Sequence, residues 1–146
     1  MEAEILGREN TPDGEIVLRR RRDVIELIVN GVFAMDTVEV SSELALAEAA
    51  GDPPGRTLVG GLGLGFTAVR LLERGAQVDV VERAGPLLQW ARLGVTDQLG
   101  RLAADPRVTL HHADIVRFVR AAETGWDAIV LDVDNGPSFL IHADNA

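Results

Sequence analysis

The stretch Thr57-Leu58-Val59-Gly60-Gly61-Leu62-Gly63-Leu64-Gly65 decides how this chain is read. A short apolar run over 56–60 meets four glycines, and helical spacing over 65–74 follows directly, so the pattern is strand, tight turn, helix. A second apolar run, Val78-Asp79-Val80-Val81, makes a strand over 77–82 that ends on Glu82. Together these elements form a βαβ unit. Its glycines let backbone N–H groups approach a nucleotide-like ligand, and the terminal carboxylate can accept two ribose hydroxyls.

Working outward, the same alternation continues to the C-terminal side. Helical character over 85–103, interrupted at Gly94 or Gly100, leads to a strand at 107–111, a helix at 114–122 and a strand at 127–132. These strands are continuous apolar runs rather than alternating ones, as expected of a parallel sheet covered on both faces. The expected class is therefore α/β, a Rossmann-like parallel sheet with helices on both faces. Residues 139–146 carry no clear element and are expected to fray.

Upstream the pattern changes. Ile16-Val17-Leu18, Val24 to Val29, and Val32-Phe33 are short β-branched runs separated by Arg19 to Arg22 and by Asn30-Gly31, a hairpin-turn pair. Two or three antiparallel strands are expected. Ser41-Ser42-Glu43 then opens a helix, with Ser41 as the cap, and Gly51 and Pro53-Pro54 close it. This divides the chain into an N-terminal hairpin region with its linking helix, 1–52, and a nucleoside-binding domain, 53–146.

At 146 residues with no cysteine, the chain can bury roughly two thirds of its unfolded surface. The lack of cysteine excludes disulfides, thiolate metal sites and a cysteine nucleophile, and a reducing cytoplasm is the expected compartment. No apolar run approaches the roughly 18 residues of a membrane span, and the N-terminus lacks a signal-peptide core. With 23 acids against 14 bases, the net charge of -9 disfavours nucleic acid and anionic membranes and permits a small cationic amine. The arginine cluster reads as a solvated hairpin end.

Right-handed crossovers put the C-terminal ends of all four parallel strands on one edge. That edge collects Gly60, Gly61, Gly63 and Gly65; Glu82 with Arg83; Ala113 and Asp114; and Asp132 and Asp134. Each has a plainer role beside the functional one. The glycines also suit tight helix–strand packing, Glu82 can be an exposed strand-end acid, and Asp114 is well placed as a helix cap. One acid of Asp132-Val133-Asp134-Asn135-Gly136-Pro137 can serve only the turn. Asp132, directly after Ile129-Val130-Leu131, is the candidate catalytic residue. His111 and His112 lack a third ligand at metal spacing and read as structural, so no metal is expected. Trp90 and Trp126 read as core or pocket wall. No nucleophile elbow or P-loop lysine is present.

These residues, in this order, resemble the spermidine synthase (polyamine aminopropyltransferase) family, which has the fold of the S-adenosylmethionine-dependent methyltransferases. The likeness covers about residues 15 to 137. It implies that Gly60 to Gly65 line the methionine-derived part of S-adenosylmethionine or its decarboxylated form, a co-substrate. Glu82 would hold the ribose, Asp114 the adenine amino group, and Asp132 would take a proton from the attacking amine or orient it. Asp36 would match the Asp of the family's Leu-Asp-Gly segment, with Glu39 where the family has a Gln and Asp134 also facing the substrate. Gly63 stands where the family has an acid that grips the aminopropyl amine, and Leu46-Ala47-Glu48 replaces its Tyr-His-Glu. Those differences bear on the substrate more than on the nucleoside.

The family's fold continues past the fourth parallel strand, so the resemblance implies a shortened sheet. Its last strand would be an open edge, and self-association into a homo-oligomer such as a dimer through that edge is expected. Three functions remain open at this level: aminopropyl-type transfer from a sulfonium to an amine, methyl transfer to a small molecule, and a non-catalytic nucleoside-binding or assembly module.

Overall fold

The computed structural model describes residues 2–132. Asp134, the Asn135-Gly136-Pro137 turn and the tail at 139–146 lie outside the described residues. The elements run β1 (Glu4–Thr11), β2 (Gly14–Arg21), β3 (Val24–Val29), β4 (Val32–Asp36), α1 (Ser41–Glu48), β5 (Arg56–Gly60), α2 (Phe66–Glu73), β6 (Gln77–Glu82), α3 (Gly85–Leu93), α4 (Asp97–Ala104), β7 (Val108–His112), α5 (Ile115–Ala121) and β8 (Ala128–Leu131). The first four strands form an antiparallel meander, and the last four a parallel sheet ordered β7-β6-β5-β8.

The N-terminal region has four strands rather than two or three. β1 is mostly exposed and carries charge and glycine, so its apolar alternation is weak. Its backbone nevertheless pairs with β2 along its length, with an irregularity between Ile5 and Gly7. Asn30 and Gly31 both take positive φ, 53° and 73°, and make the expected turn between β3 and β4. The arginine cluster lies at the β2–β3 hairpin. Arg19 pairs with Glu26 at 2.8 Å, and Arg20 and Arg21 lie 3.8 Å from Glu4 and Glu26. These partners occupy Arg19, Arg20 and Arg21.

Helix α1 corrects one expectation. Val40 occupies the cap position and offers no side-chain acceptor. Ser41 is the first helical residue, and the Glu39 carboxylate receives both its N–H, at 3.1 Å, and its hydroxyl. An acid just ahead of the helix meets the free first-turn N–H groups as a serine cap would. Further on, Gly94, at φ 67°, ends α3, whereas Gly100 lies inside α4, where it lets the end of α3 pass close by.

Strand order β7-β6-β5-β8 sends the chain outward through β6 and β7, then back across the sheet to β8. With right-handed crossovers, α2, α3 and α4 cover one face and α5 the other. Leu58, Leu71, Leu88 and Leu99 are fully buried, so truncating any one to alanine is expected to cost about 2–5 kcal/mol. The buried cluster is continuous with Ile16, Leu18 and Leu27 of the meander. Trp90 joins the two layers. Its indole lies so close to Gly7 that a Cβ there would come within 2.6 Å of it. Among the described residues no helix is long and apolar enough to cross a membrane.

Candidate functional site

The glycine loop joins β5 to α2. Gly61 donates its N–H to Val81 at 2.8 Å, and Gly65 donates to Leu62 at 3.0 Å, so the loop folds back over the ends of β5 and β6. Gly65, at φ 95°, is the cap residue of α2 and brings no side chain to the first-turn N–H groups. Donors left free at a helix N-terminus favour anionic or polar ligand atoms. Gly63, at φ 53°, has a further constraint: a Cβ there would come within 2.6 Å of the Met35 sulfur. The end of β4 therefore lies directly over the loop.

Glu82 is tied to this loop through both carboxylate oxygens. Oε1 receives the Leu62 N–H at 2.9 Å, and Oε2 receives the Ala84 N–H at 2.8 Å. Each oxygen keeps a second lone pair, which is the capacity two ribose hydroxyls would need. Arg83 turns to Asp13 at 3.1 Å. The Ala113 N–H donates to the Glu82 carbonyl at 3.2 Å, and His112 lies 3.1 Å from the Arg83 carbonyl, so the ends of β6 and β7 are laced together.

Asp114 caps α5, its Oδ1 accepting from Val116 at 2.9 Å and Arg117 at 3.1 Å. The bond from the Arg117 N–H holds its carboxyl below the ordinary aspartate range against the cost of desolvation, with the Val116 N–H and the charges of Arg83 and Arg117 adding to it.

Asp132 follows β8, its N–H fixed to the Gly60 carbonyl at 2.7 Å. Its Oδ2 receives the Thr67 hydroxyl at 2.8 Å. Burial pushes this carboxyl above the ordinary aspartate range. The Thr67 hydrogen bond opposes the shift, and the nearby charges of Glu43 and Glu82 reinforce it. Glu43 is itself only 9% exposed. Glu43 from α1 and Glu82 from β6 thus lie near enough to act on Asp132, which follows β8. An acidic neighbourhood of this kind favours a cationic group near Asp132.

Glu43 and Thr67 are the residues that sequence reasoning missed as site members. Glu43 read only as part of a helix start, and Thr67 lay unremarked within the helix after the glycines. The available signal was a carboxylate on the apolar side of α1.

Asp36 and Glu39 have local partners. Asp36 Oδ1 accepts from Val38 at 2.9 Å and Glu39 at 2.8 Å, forming the turn that leaves β4, and Glu39 serves Ser41. The segment still borders the crevice, because Met35 immediately precedes Asp36. Among the described residues no three His, Asp or Glu side chains gather as a metal site. His111 bonds Asp79 Oδ1 at 3.0 Å and has Phe118 alongside, a structural role. Trp126 donates to Asp79 Oδ2 at 2.9 Å and lines a cavity of about 250 Å³ beside Arg56, at the opposite end of β5 from the glycine loop.

No protein-family model matches the chain. Among solved structures, a spermidine synthase in complex with the transition state analogue AdoDATO superimposes with a TM-score of 0.77 over 92% of this chain, at 19% identity. The chain has the spermidine synthase fold. Spermidine synthase from Thermotoga maritima gives a TM-score of 0.71 over 94% of the chain, also at 19% identity. The chain spans about half of each, 48% and 49% of their lengths. It is also 38% identical over 94 residues to the ribosomal RNA small subunit methyltransferase A of Anaeromyxobacter dehalogenans (strain 2CP-C), covering 64% of this chain and 32% of that protein.

Proposed function

We propose that the crevice binds an S-adenosylmethionine-type nucleoside and that the chain supports transfer of an alkyl group from its sulfonium to a small amine. The observation that carries this reading is Asp132, a half-buried carboxylate held by Thr67, with the charges of Glu43 and Glu82 acting on it. A sulfonium and a protonated amine are both cations, and this triad suits both.

In this reading Glu82 holds the ribose and Asp114 lies at the adenine end with Ala113 and Arg83 beside it. Asp132 accepts a proton from the acceptor nitrogen and aims its lone pair. The new N–C bond forms as the S–C bond breaks, and its electron pair stays on sulfur, leaving a neutral thioether. Positioning the two reactants supplies most of the acceleration, because the sulfonium is already activated. The first candidate for the moving group is aminopropyl or a related chain, in keeping with the fold. Asp36, Glu39 and Asp134 are the candidate acceptor-side residues, and the net charge of -9 suits a cationic amine better than a nucleic acid.

A second reading, methyl transfer, is supported by Gly63. No side chain at that position can grip an aminopropyl ammonium, and the apolar Met35 sulfur fills the adjoining space. Calorimetric titration with S-adenosylmethionine, its decarboxylated form and the thioether product separates the readings. Tighter binding of the decarboxylated form supports aminopropyl transfer, and tighter binding of the carboxylated form supports methyl transfer. Binding of none of the three removes both and leaves an assembly module.

A further inference from the structure

Within that transferase reading, we propose that Thr67 is the positioning residue for Asp132: its hydroxyl pins Oδ2 and so commits Oδ1 to the acceptor amine. Thr67 lies in the first turn of α2 and is 1% exposed. As the second residue of that helix it has no preceding helical turn whose carbonyl could accept its hydroxyl, the usual partner of a threonine further along. Here the hydroxyl reaches across to β8 instead, 2.8 Å from Asp132 Oδ2, with the Glu43 carbonyl a longer alternative at 3.4 Å.

Thr67 is the sole hydrogen-bond donor to that carboxylate among the described residues. The groups that face Asp132 from the other elements are carboxylates, Glu43 from α1 and Glu82 from β6, and both favour its protonated form. Its backbone is already fixed by the bond to Gly60, so the remaining freedom is rotation of the side chain. One buried hydroxyl removes that freedom and favours the ionised form, the two properties a proton acceptor requires.

Thr67→Val removes the hydroxyl while keeping the branched shape, and Thr67→Ser keeps the hydroxyl while losing a methyl group. The titration of the Asp132 carboxyl, followed by carbon NMR in the full chain, needs no turnover. The expected midpoint rises by about one pH unit in Thr67→Val and stays near wild type in Thr67→Ser. An unshifted midpoint in Thr67→Val overturns the assignment. So does an equal shift in both variants, which would make the effect one of packing. Nucleoside titration of the wild-type chain is a separate arm. Failure to bind any of the three nucleosides overturns the transferase reading and, with it, the acceptor's place here, whatever the NMR midpoints do. Where the wild type turns over, Thr67→Val moves the acid limb of the kcat pH profile upward together with the NMR midpoint, by about one unit, without changing KM for the donor. A raised donor KM at unchanged kcat contradicts the proposal.

Discussion

Glu82 at the end of β6 receives the backbone N–H of Leu62 at 2.9 Å, so the acid that ends one strand also sets the shape of the glycine loop that ends its neighbour. On the proposed reading the same side chain both shapes the loop and holds the ribose. Glu82→Ala is expected to weaken nucleoside binding at least tenfold, about 1.4 kcal/mol, through lost ribose contacts and a loosened loop. Calorimetry measures this directly, and unchanged affinity would move the ribose elsewhere.

Asp132→Asn should separate stability from turnover. The folded-state pKa of Asp132 lies above its unfolded value, because burial disfavours the charge and Glu43 and Glu82 add to it despite the Thr67 bond. Its contribution to stability is thus fully present below the unfolded pKa and is lost as pH rises through the folded pKa. At pH 7 the amide, which still accepts from Thr67, should be more stable than wild type by roughly 0.5–2 kcal/mol, with the difference shrinking in acid. Turnover should fall by about 10²–10⁴ with little change in nucleoside affinity. Thermal melts at two pH values and steady-state kinetics read the two effects independently.

Asp79 gives the opposite pH dependence. Burial resists its ionisation, but hydrogen bonds from His111 and Trp126, with the charges of His111 and Arg56, outweigh that and hold its carboxyl below the ordinary range. A depressed acid stabilises the fold above its unfolded pKa, and that stability is lost as pH falls through the folded value. Asp79→Ala leaves the Trp126 N–H without its partner and is expected to cost about 1–3 kcal/mol at pH 7. Urea titrations should show the gap between variant and wild type closing toward the acid end.

Self-association through β8 is expected as well. Among the described residues β8 pairs only with β5, and Ile129 and Leu131 are 48% and 53% exposed on it. An apolar edge strand is a template for pairing. Ile129→Lys should shift the sedimentation profile toward monomer, and a wild-type chain that is monomeric at high micromolar concentration removes the idea.

Much of the parallel sheet was legible in the sequence because its determinants are local. The strands at 56–60 and 77–82 fall where their apolar runs place them, and the glycines end one and begin the next helix as turn chemistry requires. The less legible parts depend on distant partners. β1 is a strand because β2 pairs with it, despite its own weak pattern. The bond from Thr67 to Asp132 spans 65 positions, and Asp79 finds His111 and Trp126 on elements that follow much later. Ser41 misled for a related reason: serine and glutamate are both good acceptors near a helix start, and backbone geometry decided which one served.

The Met35 thioether over Gly63 has a consequence for how sharply this end of the crevice can select. A sulfur on a chain of freely rotating bonds yields to a bulky neighbour far more readily than a backbone or a ring does. On the proposed transferase reading, discrimination by donor tail length would be graded, like a spring that resists in proportion to bulk. A β-branched or aromatic residue at position 35 would turn it into a fixed stop.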